Sequence, residues 1–396
     1  MAEAPVIVVG AGMAGTAAAW AASREGKRVV LVHDRAGASS LYAGLLEGEP
    51  TERAGTAREP DAPGDALLRA FVDALGILRL GPEHVATASG VVRATFGADQ
   101  ALLDLTPLAG KRVALADVGR DDWDATLIAR TLAASPWAER TRTPFVAVAV
   151  KALRAGHERR IPPYDFAALH DDELRQRSFA EALKHVSEGV DAWLTGPWLG
   201  VAPDTATVLR KLVPLPLGET TSPMGGPAGA RFESARDRLF ATQKIELVLG
   251  RVTAVRALGG RWSVELTDDD GRPDALEARS VVLATGGVAA GGLLFSMDPE
   301  RRKRGFSLPF EAPVVVSLDG DVQGGGGSLY GPSLETVGLG VLERAGILAD
   351  WSGHPRGLGG EESGLLVAGD AVAGRPRTML EAAVSGLASG TVATRV

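Results

Sequence analysis

Apolar positions in this chain come mostly in short unbroken runs rather than in alternation. Val6-Ile7-Val8-Val9 opens the pattern, as expected of a parallel strand buried on both faces. Gly10-Ala11-Gly12-Met13-Ala14-Gly15 follows, then an alanine-rich helix to about Glu25 closed by Gly26, and Val29-Val30-Leu31-Val32 predicts a second strand. Strand, glycine turn, helix and strand in close succession make a βαβ unit.

Further along, the Gly-, Pro- and charge-rich stretch 47–64 reads as a surface loop, and helical patterning resumes at 65–78. Buried strands are predicted at 111–118, 144–150 and 192–194, with helices at 121–134 and 172–187 between them. A turn cluster falls at 222–227, alternation over 248–266 suggests a hairpin, and Ser280-Val281-Val282-Leu283-Ala284 returns to buried-strand composition. Gly364-Leu365-Leu366-Val367-Ala368 predicts a last strand and 380–392 a last helix.

Size and composition narrow the chemistry. At 396 residues the chain is long enough for two domains. A formal net charge of -7 argues against nucleic acid as the main partner. The basic run Arg301-Arg302-Lys303-Arg304 reads as a solvated loop. There is no cysteine, which excludes disulfides, cysteine-ligated iron–sulfur clusters and redox dithiols. Electrons passing through this chain need an organic carrier. The six histidines are scattered, with no pair at metal-ligand spacing, so no metal site is expected. The N-terminus lacks a signal-peptide pattern, and no apolar stretch reaches membrane-helix length. The expected location is the cytoplasm, with any membrane contact peripheral, at the inner face.

Gly10-x-Gly12-x-x-Gly15 has a separate reason at each glycine: a tight turn, close approach of a diphosphate, and close packing of helix on strand. The diphosphate then meets unpaired N–H groups and the positive end of the helix dipole. The backbone of Gly10, Ala11, Gly12, Met13, Ala14 and Gly15 is therefore the expected diphosphate cradle. The usual acidic ribose ligand is absent: His33 occupies its position, and Asp34 follows. A carboxylate accepts both ribose hydroxyls, whereas a neutral imidazole accepts one bond. That departure leaves FMN open beside FAD.

Val281-Val282-Leu283-Ala284-Thr285-Gly286-Gly287 and Gly364-Leu365-Leu366-Val367-Ala368-Gly369-Asp370 are two further strands that end in Ala-Thr-Gly and Gly-Asp. With the N-terminal glycine turn, this ordered triple resembles the FAD-dependent oxidoreductase superfamily. The resemblance implies an α/β, Rossmann-like FAD/NAD(P)-binding fold of the two-dinucleotide-binding-domain flavoprotein type, with an inserted α/β substrate or cap region. The flavin-binding domain is then expected at 1–100 and 235–396, and the insertion at 101–234. It implies that Thr285 and Gly286 pass near the cofactor, that Gly369 and Asp370 bond its ribityl or diphosphate region, and that the following helix points its start at the isoalloxazine. Ser39, Ser40 and Val252 complete the expected cofactor contacts.

Within the superfamily, Ser39-Ser40-Leu41-Tyr42-Ala43-Gly44-Leu45-Leu46, Leu215-Pro216-Leu217 with Ser222-Pro223 and Gly229-Ala230-Arg231, and Val282-Leu283-Ala284-Thr285-Gly286-Gly287 with Gly291-Gly292-Leu293 resemble the B subunit of anaerobic glycerol-3-phosphate dehydrogenase. Gly369-Asp370-Ala371-Val372-Ala373-Gly374 departs from that family's Gly-Ser, and Leu380-Glu381-Ala382-Ala383 from its cysteine-bearing helix start. The resemblance implies a flavin-bearing subunit beside a catalytic A subunit and an iron–sulfur C subunit, oxidising glycerol 3-phosphate and passing electrons to quinone. For the small-molecule substrate, Arg231 is a candidate anion clamp and His354 a candidate base. Arg375, Arg377 and Tyr330 are further candidates. A free-standing oxidoreductase and a non-catalytic flavin carrier remain the rival readings.

Overall fold

The computed structural model describes residues 4–47, 65–298, 303–318, 344–358 and 364–396. Two units divide the chain: Met1–Ser39, Glu49–Phe71 and Arg238–Val396 form the first, and Ser40–Gly48 with Val72–Asp237 the second. The loop expected over 47–64, Tyr330 and the arginines of the 301–302 run lie outside the described residues, apart from Glu47.

In the first unit, β1 (Val6–Val9), β2 (Val29–His33), β10 (Glu246–Leu249), β14 (Ser280–Leu283) and β19 (Leu365–Val367) form one parallel sheet, in the order β10-β2-β1-β14-β19. The order reverses between β1 and β14, which makes a topological switch point of the doubly wound kind. Alternation along β1 sends its side chains to two clusters. Val6 and Val8 pack with Ala14, Ala18 and Ala22 of α1 (Met13–Arg24). Ile7 and Val9 pack on the other face with Val252, Val264 and Leu266 of a meander, β11 (Arg251–Leu258), β12 (Arg261–Thr267) and β13 (Pro273–Ala278).

The closing helix α9 (Met379–Ala393) lies on α1 at backbone distance. A Cβ on Gly386 would fall 2.2 Å from Ala14 O, and one on Gly390 2.3 Å from Ala18 O. Small residues on both helices are what allow that approach. Two antiparallel pairs complete the unit, β15 (Leu294–Asp298) with β16 (Lys303–Ser307) and β17 (Val316–Leu318) with β18 (Ala345–Ile347).

In the second unit, β6 (Val113–Asp117), β7 (Phe145–Ala149), β8 (Ala192–Thr195) and β9 (Leu217–Glu219) form a parallel sheet in the order β7-β6-β8-β9. Its helices are α3 (Ala125–Ala133), α4 (Pro136–Thr141), α5 (Pro163–Leu169), α6 (Glu173–His185) and α7 (Thr205–Leu212). An antiparallel sheet of β3 (Leu45–Leu46), β5 (Val92–Asp99) and β4 (Leu78–Ala86) belongs to the same unit. Helices α2 (Asp65–Leu75) and α8 (Pro227–Gln243) run across the division.

Two sequence expectations about elements change. The helix expected over 65–78 stops at Leu75, where Gly76 takes φ +75°, and the β4–β5 hairpin follows. Within β4, Gly81-Pro82, a pair unsuited to a strand interior, is accommodated by a bulge between Leu80 and Glu83. The hairpin expected over 248–266 forms as β11 with β12 but starts only at Arg251: Gly250, whose N–H bonds His33 O at 3.0 Å, separates it from β10, which joins the parallel sheet. The division of units also differs from the expected 1–100 with 235–396. Residues 40–48 and 72–100 cluster with the 101–234 region, because β3, β4 and β5 are laddered to one another and Leu102 bridges to Glu219 of β9.

Candidate cofactor site

At the carboxyl end of β1, the Gly10 N–H bonds Val32 O at 2.8 Å and the backbone turns with φ +109°. A Cβ there would lie 2.3 Å from Ala284 O, and one on Gly15 would lie 1.8 Å from Gly10 O. Both positions exclude any side chain. Gly12 caps α1 with extended backbone and no side-chain bond. The Met13 N–H donates to Ser39 Oγ at 2.8 Å, and Thr16 N closes on Gly12 O at 2.9 Å. Ala14 and Gly15 supply the remaining first-turn amides, which have no partner inside a helix. The segment after β2 lies against the same turn: a Cβ on Gly37 would be 3.3 Å from Gly12 Cα.

The two other motif segments arrive at this turn. Ala284 N bonds Val9 O, and Ala368 N bonds Leu283 O, each at 2.9 Å. A Cβ on Gly287 would be 3.2 Å from the Asp370 Cβ, and one on Gly369 (φ +66°) 2.6 Å from the Ala14 Cβ. Gly369 N is held by Ser385 Oγ at 3.0 Å, so α9 is tied to the Gly-Asp segment. Its first turn is capped by Thr378, which accepts from Glu381 N. The Thr285 hydroxyl is buried and has no hydrogen-bond partner. A buried hydroxyl without a partner is costly, and a cofactor bound within its reach would remove that cost. The side-chain-free turn, the first-turn amides and this hydroxyl fit a dinucleotide flavin.

The remaining candidates are placed as follows. His33 ends β2, with its carbonyl engaged by Gly250. Asp34 pairs with Arg35 at 3.0 Å. Ser40 belongs to the second unit, where its carbonyl packs on Gly229. Val252 is buried in the cluster between sheet and meander. His354 sits on a turn, its Nδ1 3.4 Å from Asp350 Oδ2. Arg377 donates to the carbonyls of Asp370, Val372 and Ala345. Arg375 bonds Asp350 O at 2.9 Å, lies 3.5 Å from the Glu381 carboxylate and stacks on Trp351. These two arginines brace the backbone around the Gly-Asp segment.

Arg231 is a correction. Its guanidinium is 1% exposed and donates to Asp99 at 3.1 Å, to Gly200 O at 2.7 Å and to Glu219. Burial works against its charge, but Asp99 and Glu219 hold its pKa above the ordinary arginine value. Burial likewise pushes the Glu219 carboxyl up, against the opposing pull of Arg231. With its donors directed to these groups, Arg231 staples the second unit rather than clamping an anion. Nearby, Arg79 bonds Glu83 at 2.7 Å and the carbonyls of Asp99 and Leu102, and Arg210 bonds Leu217 O at 2.6 Å. No local sequence signal foretells this cluster, because its members lie far apart in the chain.

Among the described residues no group of three or more His, Asp or Glu is placed to hold a metal ion, and no helix is long and apolar enough to cross a membrane. The model of the family FAD dependent oxidoreductase matches residues 5–37. The match spans the N-terminal βαβ unit and supports a flavin-dependent oxidoreductase with FAD as cofactor. No curated protein matches the chain.

Among solved structures, the chain is similar to CabE, an aromatic hydroxylase from angucycline biosynthesis (14% identity, 74% of this chain and 34% of that one, TM-score 0.28). It is also similar to 3-ketosteroid delta1-dehydrogenase from Sterolibacterium denitrificans (16%, 72% and 48%, 0.28) and to T. acidophilum thioredoxin reductase (13%, 100% and 99%, 0.24). The chain spans less than half the length of the first two. At these TM-scores none of the three carries an argument about this chain.

Proposed function

We propose that this chain is the flavin-bearing subunit of a glycerol-3-phosphate dehydrogenase, acting beside a catalytic A subunit and an iron–sulfur C subunit. The observation that carries the flavin part is the meeting of Gly10–Gly15, Ala284–Gly287 and Gly369–Asp370 at the switch point of one parallel sheet. The glycerol 3-phosphate part rests on the motif resemblance alone. FAD, when bound, supplies the capacity to accept a hydride or electrons. The chain's own residues would bind and orient it: the α1 amides would take the diphosphate, and Thr285 and Asp370 would offer their side-chain oxygens to the ribityl or diphosphate region.

One observation favours electron relay over self-sufficient oxidation. The candidate acid–base and anion-binding groups are already engaged: Arg231 with Asp99 and Glu219, Arg375 and Arg377 with main-chain carbonyls, His354 with Asp350. The test is to purify the chain, denature it and identify the released flavin. The holo-chain is then mixed with glycerol 3-phosphate with and without partner subunits while flavin absorbance is followed. Bleaching that needs the partners supports relay. Bleaching by glycerol 3-phosphate alone supports direct oxidation, and no bleaching under either condition removes the glycerol 3-phosphate reading.

A further inference from the structure

The parallel sheet of the second unit has a switch point of its own. The chain passes from β6 to β7 on one side, then returns across β6 to β8 on the other, giving the order β7-β6-β8-β9. In open α/β sheets the loops at the carboxyl ends of strands beside such a point are where small molecules bind. Here two indoles close the floor. Trp123 Nε1 donates to Ala116 O of β6 at 3.0 Å, and the ring of Trp198, which follows β8, meets the Trp123 ring edge-on at 5.6 Å. An open pocket of about 860 Å³ remains in the connection after β7, lined by Gly156, His157, Arg159, Arg160, Ile161 and Pro162.

Buried charges hold this connection against the loop that follows β6. The Arg120 guanidinium, 3% exposed, donates to Glu158 O at 2.7 Å and to Ile161 O at 2.6 Å, and it stacks on Phe166 at 4.5 Å. Asp121 N bonds Arg159 O at 3.0 Å. The Glu158 carboxylate is buried and is taken by Arg175 and by the Arg154 N–H. Glu158 is the one acid between Lys151 and Arg160, a stretch that also contains Arg154, His157 and Arg159. With that acid turned inward, the stretch presents basic groups outward on a chain of net charge -7.

Arg159 and Arg160 share a single carboxylate. Asp121 accepts from Arg159 Nη2 on one oxygen and from Arg160 Nε on the other, each at 2.9 Å. It holds two guanidiniums side by side and neutralises one charge of the two. Their side chains are 57% and 84% exposed, so both keep donors for a ligand. Paired guanidinium forks match the oxygens of a doubly charged oxyanion, and Ile161 and Pro162 add apolar surface to the same pocket. We propose that the second unit binds a small phosphate monoester at the carboxyl end of its sheet. Arg159 and Arg160 take the phosphate, and Ile161 and Pro162 face the carbon skeleton. The site is independent of the flavin reading, since all its residues belong to the second unit.

The test is calorimetric titration of the full chain at several salt concentrations, with FAD present so that the glycine turn is filled. The probes are glycerol 3-phosphate, inorganic phosphate, succinate and glycerol. Glycerol 3-phosphate is expected to bind most tightly, inorganic phosphate more weakly, and glycerol not at all. The double variant Arg159→Gln with Arg160→Gln alters only exposed side chains, and circular dichroism checks its fold. It is expected to raise the Kd for glycerol 3-phosphate by about tenfold or more and to flatten its salt dependence. Ile161→Ser is expected to weaken glycerol 3-phosphate and leave inorganic phosphate unchanged. Wild-type affinity in the double variant, or no phosphate binding by the wild-type chain, would overturn the site. Succinate binding as tight as that of glycerol 3-phosphate would overturn its assignment to phosphate. A chain that binds glycerol 3-phosphate through these arginines but takes no FAD would keep this site and remove the flavin reading.

Discussion

A Cβ added to Gly10 would sit 2.3 Å from the carbonyl oxygen of Ala284, two residues that are 274 positions apart in sequence and adjacent at the switch point. The glycine turn is therefore shaped by the neighbouring strand as well as by its own helix. That contact makes the first prediction a steric one.

Gly15→Ala puts a methyl 1.8 Å from Gly10 O, and the obstacle is backbone, which cannot swing aside. The variant is expected to lose FAD binding and about 3 kcal/mol or more of stability. Denaturant unfolding and flavin titration check both. A variant that binds FAD with wild-type affinity would contradict the geometry.

Thr285→Val separates binding from folding. It removes a buried hydroxyl that has no partner, so the apo-chain is expected to be unchanged or stabilised by up to about 1 kcal/mol. FAD affinity should fall severalfold at the same time. Thermal melts with and without FAD read the two effects, and a destabilised apo-chain would show that the hydroxyl has a structural task.

Arg231→Met leaves Asp99 and Glu219 buried without their cation. Removing one partner of a buried charge cluster costs about 3–5 kcal/mol, and urea unfolding should show a loss of that order. FAD affinity of the folded fraction should be unaffected, because Arg231 and its partners Asp99, Gly200 and Glu219 belong to the second unit, whereas the cofactor turn belongs to the first.

His170 is buried between Phe166 and Phe179. Loss of hydration on burial, with Arg175 adding to it, lowers its pKa from 6.5 to about 4. Glu158 nearby pulls the other way but does not win. Between those two values the unfolded chain binds a proton that the folded chain refuses. The stability is thus fully present above about pH 6.5 and is lost as pH falls toward 4, by up to about 3 kcal/mol. His170→Leu should flatten this acid limb in a plot of unfolding free energy against pH. An unchanged limb would mean that another group titrates there.

Much of the first unit is legible along the chain. Val6–Val9, Val29–Val32, Val281–Leu283 and Leu365–Val367 are buried on both faces, so each is an unbroken apolar run, and a glycine motif marks the turn after β1. The alanine and glycine content of α1 and α9 likewise announces close packing, since only small side chains let two helix backbones touch. Local composition can reveal such features because each is a demand that one segment makes on its own residues.

The β4–β5 hairpin, the break at Gly250, the role of Arg231 and the sharing of Asp121 by Arg159 and Arg160 depend instead on partners far away in sequence. A strand containing Gly81-Pro82 pairs only because a bulge absorbs the misfit, and an arginine becomes a staple only when folding brings two carboxylates to it. Charge pairing, ladder register and steric exclusion act between atoms in space. The same residue types along the chain are compatible with either outcome until the fold brings those partners together.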